Sequence, residues 1–248
     1  MLYIVLPAYN EEEGIEVLLS RIDRITRSFD VEYQMIVVND GSEDHTELVV
    51  RSFMDVLSVE LINLTANSGI QKVFETAFNH VLDVADDNDV CISMDSDNTQ
   101  NPYVIMDLLE KINTGSDVVV ASRFAPGGQT VGAPILRRLL SRAVSILMDR
   151  IFGIQNIKDY SSFYRAYRVR TIREVWRKFG NGALEGEGFA AMAGLLVKLG
   201  SMGFEMAEVP LVLRYDLKEG GSKIRIFRSI KGYLRIIYNH WKMPLDGP

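Results

Sequence analysis

The sequence predicts an α/β fold: a mostly parallel central sheet with helices on both faces, plus C-terminal amphipathic helices. Three observations predict it. Short β-branched runs alternate with stretches of helical periodicity through the first half of the chain, the signature of strand–helix–strand units. The intervening helical stretches carry apolar residues on one face only, as helices covering a sheet must. Polar clusters follow three of the strands directly, at the carboxyl ends where such sheets bind ligands.

Element by element, residues 2–6, 34–38, 59–64, 90–94 and 118–121 read as buried strands. Ile15, Leu18, Ile22, Ile25 and Phe29 repeat at helical spacing behind Asn10 as an N-cap. Ile70, Val73, Ala77, Val81 and Ala85 form a second helical stripe, and Val104, Leu108 and Ile112 a third. After Arg123 the rhythm changes. Residues 125–133 are a Gly/Pro-rich loop, 134–152 an apolar helix, 160–167 a strand, 187–199 another apolar helix and 209–213 a last short strand. Residues 222–243 read as a basic amphipathic helix. The simplest division is one domain over residues 1–221 with an appended helix over 222–248.

With 47% hydrophobic and 24% charged residues in 248, the chain is globular, which excludes disordered and collagen-like classes. No run of 18 apolar residues occurs, so no transmembrane helix is expected. The N-terminus reads as a strand rather than a signal peptide, and any membrane contact is expected to be peripheral. The lone Cys91 lies in an apolar run; it has no internal disulfide partner and is expected in the core of a protein suited to a reducing compartment. Net charge is −6, but residues 1–110 carry −17 and residues 111–248 carry +11. An acidic half and a basic half suit a site that holds a cation on one side and phosphates on the other. No helix-turn-helix, zinc-ligand or RNA-binding pattern accompanies the basic half, so nucleic acid is not an expected partner. No Walker A pattern and no G-x-G-x-x-G after the first strand are present, which argues against P-loop enzymes and dehydrogenases. His45, His80 and His240 have no metal-ligand spacing.

Asp95, Ser96 and Asp97 end an apolar strand. Two carboxylates there repel and lose hydration unless compensated, and a divalent cation bridging them to a diphosphate does so. A solvated loop, or Asp97 as cap of a helix near Pro102, is the alternative. Asp40, Gly41, Ser42 and Asp44 follow the second strand; a carboxylate there suits a base or ribose, and turn chemistry explains the same residues. Pro7, Ala8, Tyr9, Asn10 and Glu11 follow the first strand, where Tyr9 suits a base and Asn10 and Glu11 equally suit a helix start.

Taken together and in order, residues 7–11, Val38 through Ser42 with Asp44, Asp95–Asp97 and Ser122, Arg123 and Phe124 resemble family 2 of the inverting glycosyltransferases, with the GT-A fold. The resemblance covers roughly residues 1–225. Ile157, Lys158 and Asp159, followed by Ser161 through Tyr167, are similar to the dolichol- or polyprenyl-phosphate branch. So are Glu208, Val209 and Pro210 leading to Arg214, and Gly220 through Lys223.

The resemblance implies that Pro7, Tyr9, Glu11 and Asp40 hold the nucleotide. Asp95, Ser96 and Asp97 would meet the nucleotide sugar, with Asp95 and Asp97 as ligands of Mg²⁺ or Mn²⁺. Arg214 and Lys223 would close over the donor. Arg137 and Ser141 would face the acceptor phosphate, and Arg123 and Asp159 would be catalytic. One departure stands out: the branch commonly has Gln two residues after the second aspartate, whereas Thr99 stands here and Gln100 follows. Arg123 is read as a phosphate ligand against a structural pairing with Asp117 or another acid. Arg138 and Arg142 read equally as the wet stripe of their helix.

The implied activity is transfer of a hexose from a UDP- or GDP-sugar to a polyprenyl phosphate, with inversion. The alternative is a family 2 enzyme acting on a hydroxyl of a glycan or soluble acceptor. A phosphate acceptor is already an anion; a hydroxyl would need a base, and Asp159 is then the natural one. Residues 220–245 contain no acid. Ile230, Leu234, Ile237, Tyr238 and Trp241 share one face of the last helix beside Arg228, Lys231, Arg235 and Lys242. That pattern suits an anionic membrane surface, or else packing on the domain or in a dimer. The expected location is therefore cytoplasmic, peripheral on the cytoplasmic face of a membrane, with a homo-oligomer or a membrane-protein partner possible.

Overall fold

Continuous apolar runs with β-branched residues form the central strands, and the computed structural model, which describes residues 1–184, 188, 190–218 and 226–242, places them in one sheet. Lys223 and the side chains of Ile230 and Trp241 lie outside the described residues. In chain order the elements are β1 (Leu2–Ala8), α1 (Ile15–Ser28), β2 (Tyr33–Asn39), α2 (Thr46–Phe53), β3 (Val59–Asn63) and α3 (Ile70–Val84). Next come β4 (Val90–Ser93), α4 (Val104–Asn113), β5 (Val118–Ser122), β6 (Gln129–Val131), α5 (Ile135–Phe152) and β7 (Arg165–Arg168). The chain then continues through α6 (Val169–Phe179), α7 (Ala190–Ser201), β8 (Met206–Pro210), β9 (Val212–Arg214) and α8 (Ile226–Lys242).

The seven-stranded sheet has the order β3-β2-β1-β4-β7-β5-β8. All its pairings are parallel except those of β7, which runs antiparallel between β4 and β5. β6 and β9 pair separately as a two-stranded parallel ribbon. Helices cover both faces, as predicted. One apolar layer joins Leu18 and Ile22 of α1, Val50 of α2 and Leu108 of α4 to Ile4, Val37 and Val119. The other joins Phe74 and Phe78 of α3, Ile172 of α6, Leu195 of α7 and Tyr233 and Ile236 of α8 to Val5, Val38 and Val120. Cys91 is fully buried in that second layer, and burial pushes its thiol pKa far up. At about 25 cal/mol per Å² of apolar surface, two such layers supply the main driving force.

Several boundaries differ from the sequence reading. α1 begins at Ile15, not behind Asn10, because Asn10 takes a left-handed φ of 52° and its side chain accepts from the Glu43 amide at 2.9 Å. The strand expected over 160–167 is only Arg165–Arg168, since Asp159 through Ser162 form a hydrogen-bonded turn. The strand expected over 209–213 is split into β8 and β9 between Pro210 and Val212. β6 lies within the predicted loop, and α2 and α6 were not anticipated. α2 buries only Thr46 and Val50, too few apolar positions to mark a period. α8 sets Tyr233 and Ile236 into the core while Leu234 and Tyr238 stay exposed, so its described half both packs on the domain and presents an apolar edge. Among the described residues no helix is long and apolar enough to cross a membrane.

Candidate functional site

The carboxyl ends of β1, β2, β4 and β5 bring the predicted motifs to one end of the sheet. The β1 and β2 loops are stitched together by polar side chains. The amide of Asn10 donates to Ser42 Oγ at 2.9 Å, that of Glu11 to Thr46 Oγ1 at 2.8 Å and that of Glu12 to Asp44 Oδ2 at 3.1 Å. Burial works against the Asp44 charge, but donors from Thr46 and the backbone outweigh it and hold its pKa below the ordinary carboxylate value. Asp44 is thus a loop brace. Pro7 lies at the end of β1, with Tyr9 and Glu11 on the loop beyond it.

Asp40 is 5% exposed and accepts from the amides of Ser68 at 2.7 Å and Gly69 at 2.9 Å, at the start of α3. Burial raises its pKa despite these bonds. Gly41 has φ +66°, and a Cβ there would fall 2.6 Å from the Ala66 carbonyl carbon, so only glycine fits this turn. Beside it lies a cleft of about 440 Å³ lined by residues including Asn39, Ser42, Asn63, Thr65 and Asn67. Asn39 and Ser42 belong to the motif read after the second strand, whereas Asn63, Thr65 and Asn67 were missed from sequence because they end or follow β3 without an acidic motif. A larger depression of about 590 Å³, lined by Asp86, Asp87, Asp89 and Arg173, follows the end of α3 and precedes β4. It contains none of the predicted site residues.

Asp95 and Asp97 lie just beyond β4. Burial first, and the neighbouring Asp97 second, push the Asp95 pKa up to about 7. Gln100, itself buried, grips Asp95 twice: its Nε2 donates to Asp95 Oδ2 at 2.6 Å and its Oε1 accepts from the Asp95 amide at 3.0 Å. Thr99 donates to Asp97 Oδ1 from its amide at 3.2 Å and its hydroxyl at 2.6 Å. Asp97 therefore braces its own loop rather than capping α4. The ammonium of Lys218 donates to Asp97 Oδ2 and also acts electrostatically on Asp95. Ser96 Oγ and Asn98 Oδ1 are buried without a hydrogen-bond partner among the described residues. Hard oxygen donors, mutual repulsion and a cation already drawn to the pair fit a divalent metal. Among the described residues no group of three or more His, Cys, Asp or Glu side chains is gathered for one.

The second cluster lies beyond β5. Arg123 donates to Asp159 from its amide at 3.1 Å, Nε at 2.7 Å and Nη2 at 2.7 Å. Its Nη2 also reaches Ser161 Oγ at 2.5 Å, which is 3.3 Å from Ser141 Oγ on α5. Asp159 further accepts from the amides of Ser161 and Ser162, both at 3.1 Å. Burial opposes the Asp159 charge, yet the Arg123 guanidinium outweighs it and holds the carboxyl below its ordinary value. Glu208 positions this turn by accepting from the amides of Lys158 at 2.8 Å and Asp159 at 2.7 Å. Asp117, the other acid considered for Arg123, pairs instead with Arg170 at 2.5 Å. Gly128 lies so close to the β5 end that a Cβ would fall 2.4 Å from the Ser122 carbonyl oxygen.

A short segment connects the two clusters. The amide of Arg214 donates to the Thr99 carbonyl at 2.8 Å, beside Asp97, while its side chain pairs with Asp216 at 2.7 Å. Tyr215 OH accepts from Arg137 Nη1 at 2.6 Å, with the guanidinium 4.5 Å from the ring centroid. Glu11, Lys218 and Arg123 all act electrostatically on the Asp95 carboxylate, so the predicted residues of the β1, β4 and β5 ends lie within electrostatic reach of one another.

The profile described as Glycosyl transferase family 2 matches residues 3–176. The chain is 31% identical over 247 residues to the dolichol-phosphate mannosyltransferase of Pyrococcus furiosus, covering 98% of this chain and 65% of that protein. It is 28% identical over 228 residues to the polyprenol monophosphomannose synthase of Mycolicibacterium smegmatis, covering 90% of this chain and 82% of that one. Among solved structures, glucosyl-3-phosphoglycerate synthase from Mycobacterium tuberculosis, crystallised with Mn²⁺, UDP and phosphoglyceric acid, superposes with a TM-score of 0.71. That alignment covers 100% of this chain and 80% of that one at 18% identity, which shows a shared fold.

Proposed function

The chain belongs to glycosyl transferase family 2, and on that premise we propose that it transfers a hexose from a UDP- or GDP-sugar to a polyprenyl phosphate, with inversion. The observation that carries the acceptor half is the Arg123–Ser161–Ser141 cluster, with Arg137 one helical turn before Ser141 and Arg123 within electrostatic reach of Asp95. Hydroxyls and guanidinium groups gathered at one point suit a phosphate. The names of the Pyrococcus and Mycolicibacterium relatives point the same way.

Pro7, Tyr9, Glu11 and Asp40 hold the nucleotide, and Arg214 and Lys223 close on the donor. Asp95 and Asp97 would hold Mg²⁺ or Mn²⁺, which when bound offsets the charge developing on the leaving diphosphate. Arg123, Arg137, Ser141 and Ser161 align the acceptor phosphate. One of its oxygens bonds to the anomeric carbon as the bond from that carbon to the diphosphate oxygen breaks on the opposite face. A phosphate oxygen needs no base. Asp159 serves by fixing Arg123; its carboxylate is saturated with donors and its pKa lowered, which disfavours the hydroxyl-acceptor reading that needs it as a base. The lipid substrate places the protein at a membrane surface, on the cytoplasmic face where nucleotide sugars are made.

The test is incubation of the purified chain with Mn²⁺ or Mg²⁺, labelled UDP- and GDP-hexoses in turn, and undecaprenyl or dolichyl phosphate. A labelled, acid-labile lipid is the expected product. Failure to form one with any of these donors, while a glycan or soluble hydroxyl acceptor is labelled, overturns the proposal.

A further inference from the structure

Much of the positive charge visible in the acceptor cluster is already spent. Arg123 is committed to Asp159 through three hydrogen bonds, and Arg137 is turned onto the ring and hydroxyl of Tyr215. A phosphate gains most from a cation that no carboxylate has neutralised. One such group lies beneath the cluster.

Arg165, on β7, is fully buried. Its Nη1 donates to the Met192 carbonyl of α7 at 2.5 Å and its Nη2 to the Tyr160 carbonyl at 3.0 Å, while Nε has no partner among the described residues. Those residues thus offer the guanidinium two carbonyl dipoles and no carboxylate. Burying a charge on such terms is costly, and in the low dielectric of the core the charge reaches its neighbours poorly screened.

The neighbours are those of the acceptor cluster. Tyr160, whose carbonyl Arg165 holds, directly precedes Ser161, and Ser161 Oγ meets Arg123 Nη2 at 2.5 Å and Ser141 Oγ at 3.3 Å. Two more hydroxyls along this seam are buried without a partner among the described residues: Ser162 Oγ, next in the turn, and Ser145 Oγ, one helical turn after Ser141. Tyr233 of α8 reports the same proximity. Burial pushes its pKa up to about 12, and the charges of Arg165, Asp159 and Arg123 all act on it. One phenol therefore lies within electrostatic reach of the buried guanidinium and of both members of the ion pair.

We propose that Arg165 is a positioning residue for the acceptor phosphate, holding the Tyr160–Ser162 turn from beneath and supplying positive charge that Arg123, spent on Asp159, does not. The inference rests on the polyprenyl-phosphate reading. Steady-state kinetics with the full chain test it, using Mn²⁺, the labelled hexose donor that the wild type accepts and a short, water-soluble prenyl phosphate. Arg165→Gln keeps a donor for one carbonyl and loses the charge; Arg165→Lys keeps the charge.

In the glutamine variant KM for the prenyl phosphate should rise about tenfold or more, with kcat and the donor KM within about threefold of wild type. The lysine variant should restore the acceptor KM, although both variants melt at lower temperature. An unchanged acceptor KM in the glutamine variant, or an equal rise in both variants, would overturn the proposal. If the glutamine variant does not fold, nitrogen-15 NMR of the wild type decides. The protected Nε–H resonance that is missing from Arg165→Lys should shift when the prenyl phosphate is added and stay in place with the matching prenyl alcohol; no shift with the phosphate overturns the proposal. A wild type that neither binds nor glycosylates the prenyl phosphate removes the acceptor reading and this inference together. One that does both, while the glutamine variant behaves identically, removes the inference alone.

Discussion

Replacing Asp159 by Ala leaves the Arg123 guanidinium, 13% exposed, without its carboxylate, together with the amides of Ser161 and Ser162 without their acceptor. Removing one partner of a buried ion pair costs about 3–5 kcal/mol. For a chain of this size each kcal/mol shifts the midpoint by about 2–4 °C, so thermal unfolding followed by circular dichroism should show a loss of about 6–20 °C. Asp159→Asn keeps the shape and one acceptor oxygen, so roughly half that loss is expected, with turnover falling about 10–100-fold as Arg123 loses its anchor. Because the folded-state pKa of Asp159 is depressed, its stabilisation is fully present above the unfolded carboxylate pKa of about 4 and disappears as pH falls through the lower folded value. The gap in midpoint between wild type and Asp159→Asn should therefore be constant from about pH 5 to 8 and narrow under more acidic conditions. A variant that melts like the wild type but loses about a thousandfold in turnover, together with one limb of the pH–rate profile, would show that Asp159 is a base and refute the positioning role.

Lys218→Met removes the ammonium from Asp97. Mn²⁺ affinity in titration calorimetry should rise, by about 5–10-fold for a contribution of 1 kcal/mol or slightly more; weaker binding would mean that Lys218 assists rather than competes with the cation. Gln100→Leu strips Asp95 of a donor and its amide of an acceptor. Chemical denaturation should show a loss of about 1–3 kcal/mol, and donor-induced thermal stabilisation should fall, whereas an unchanged response would exclude the clamp. Cys91, fully buried, should react with a thiol-specific reagent only at the rate of global unfolding, and fast labelling of the native protein would contradict the core assignment.

The sheet and its main helices were legible because continuous β-branched runs and one-sided helical stripes report burial directly. Residues 2–6 and 118–121 are examples, each falling within a strand one or two residues longer. The carboxylate pair was legible for another reason: two adjacent acids after an apolar strand conflict with their surroundings. What remained hidden depended on partners distant in sequence. Nothing local marks Lys218 as the cation at Asp97, 121 residues away. Arg165 reads as one more strand residue, yet it is fully buried, with Nη1 donating to the Met192 carbonyl at 2.5 Å, Nη2 to the Tyr160 carbonyl at 3.0 Å, and Nε without a partner among the described residues. Likewise, the helical period of 134–152 was visible, but an apolar stripe does not say which way it faces; only the packed fold turns α5 outward.

The antiparallel strand β7 also constrains how the molecule is assembled in time. β4 lies in the acidic first half and β5 just beyond it, yet the two are not neighbours; Arg165–Arg168 is laid between them after the chain has passed through β6 and α5. Until that segment emerges during synthesis, each of the two strands presents a bare edge, and the sheet closes only through contacts of long sequence separation, a topology that folds slowly. The charge boundary near residue 110 is therefore not a folding boundary. A fragment ending before residue 160 would carry both carboxylates and the residues proposed to hold the nucleotide while lacking the strand that joins the two parts of the sheet, which makes this domain a poor candidate for splitting or stepwise grafting.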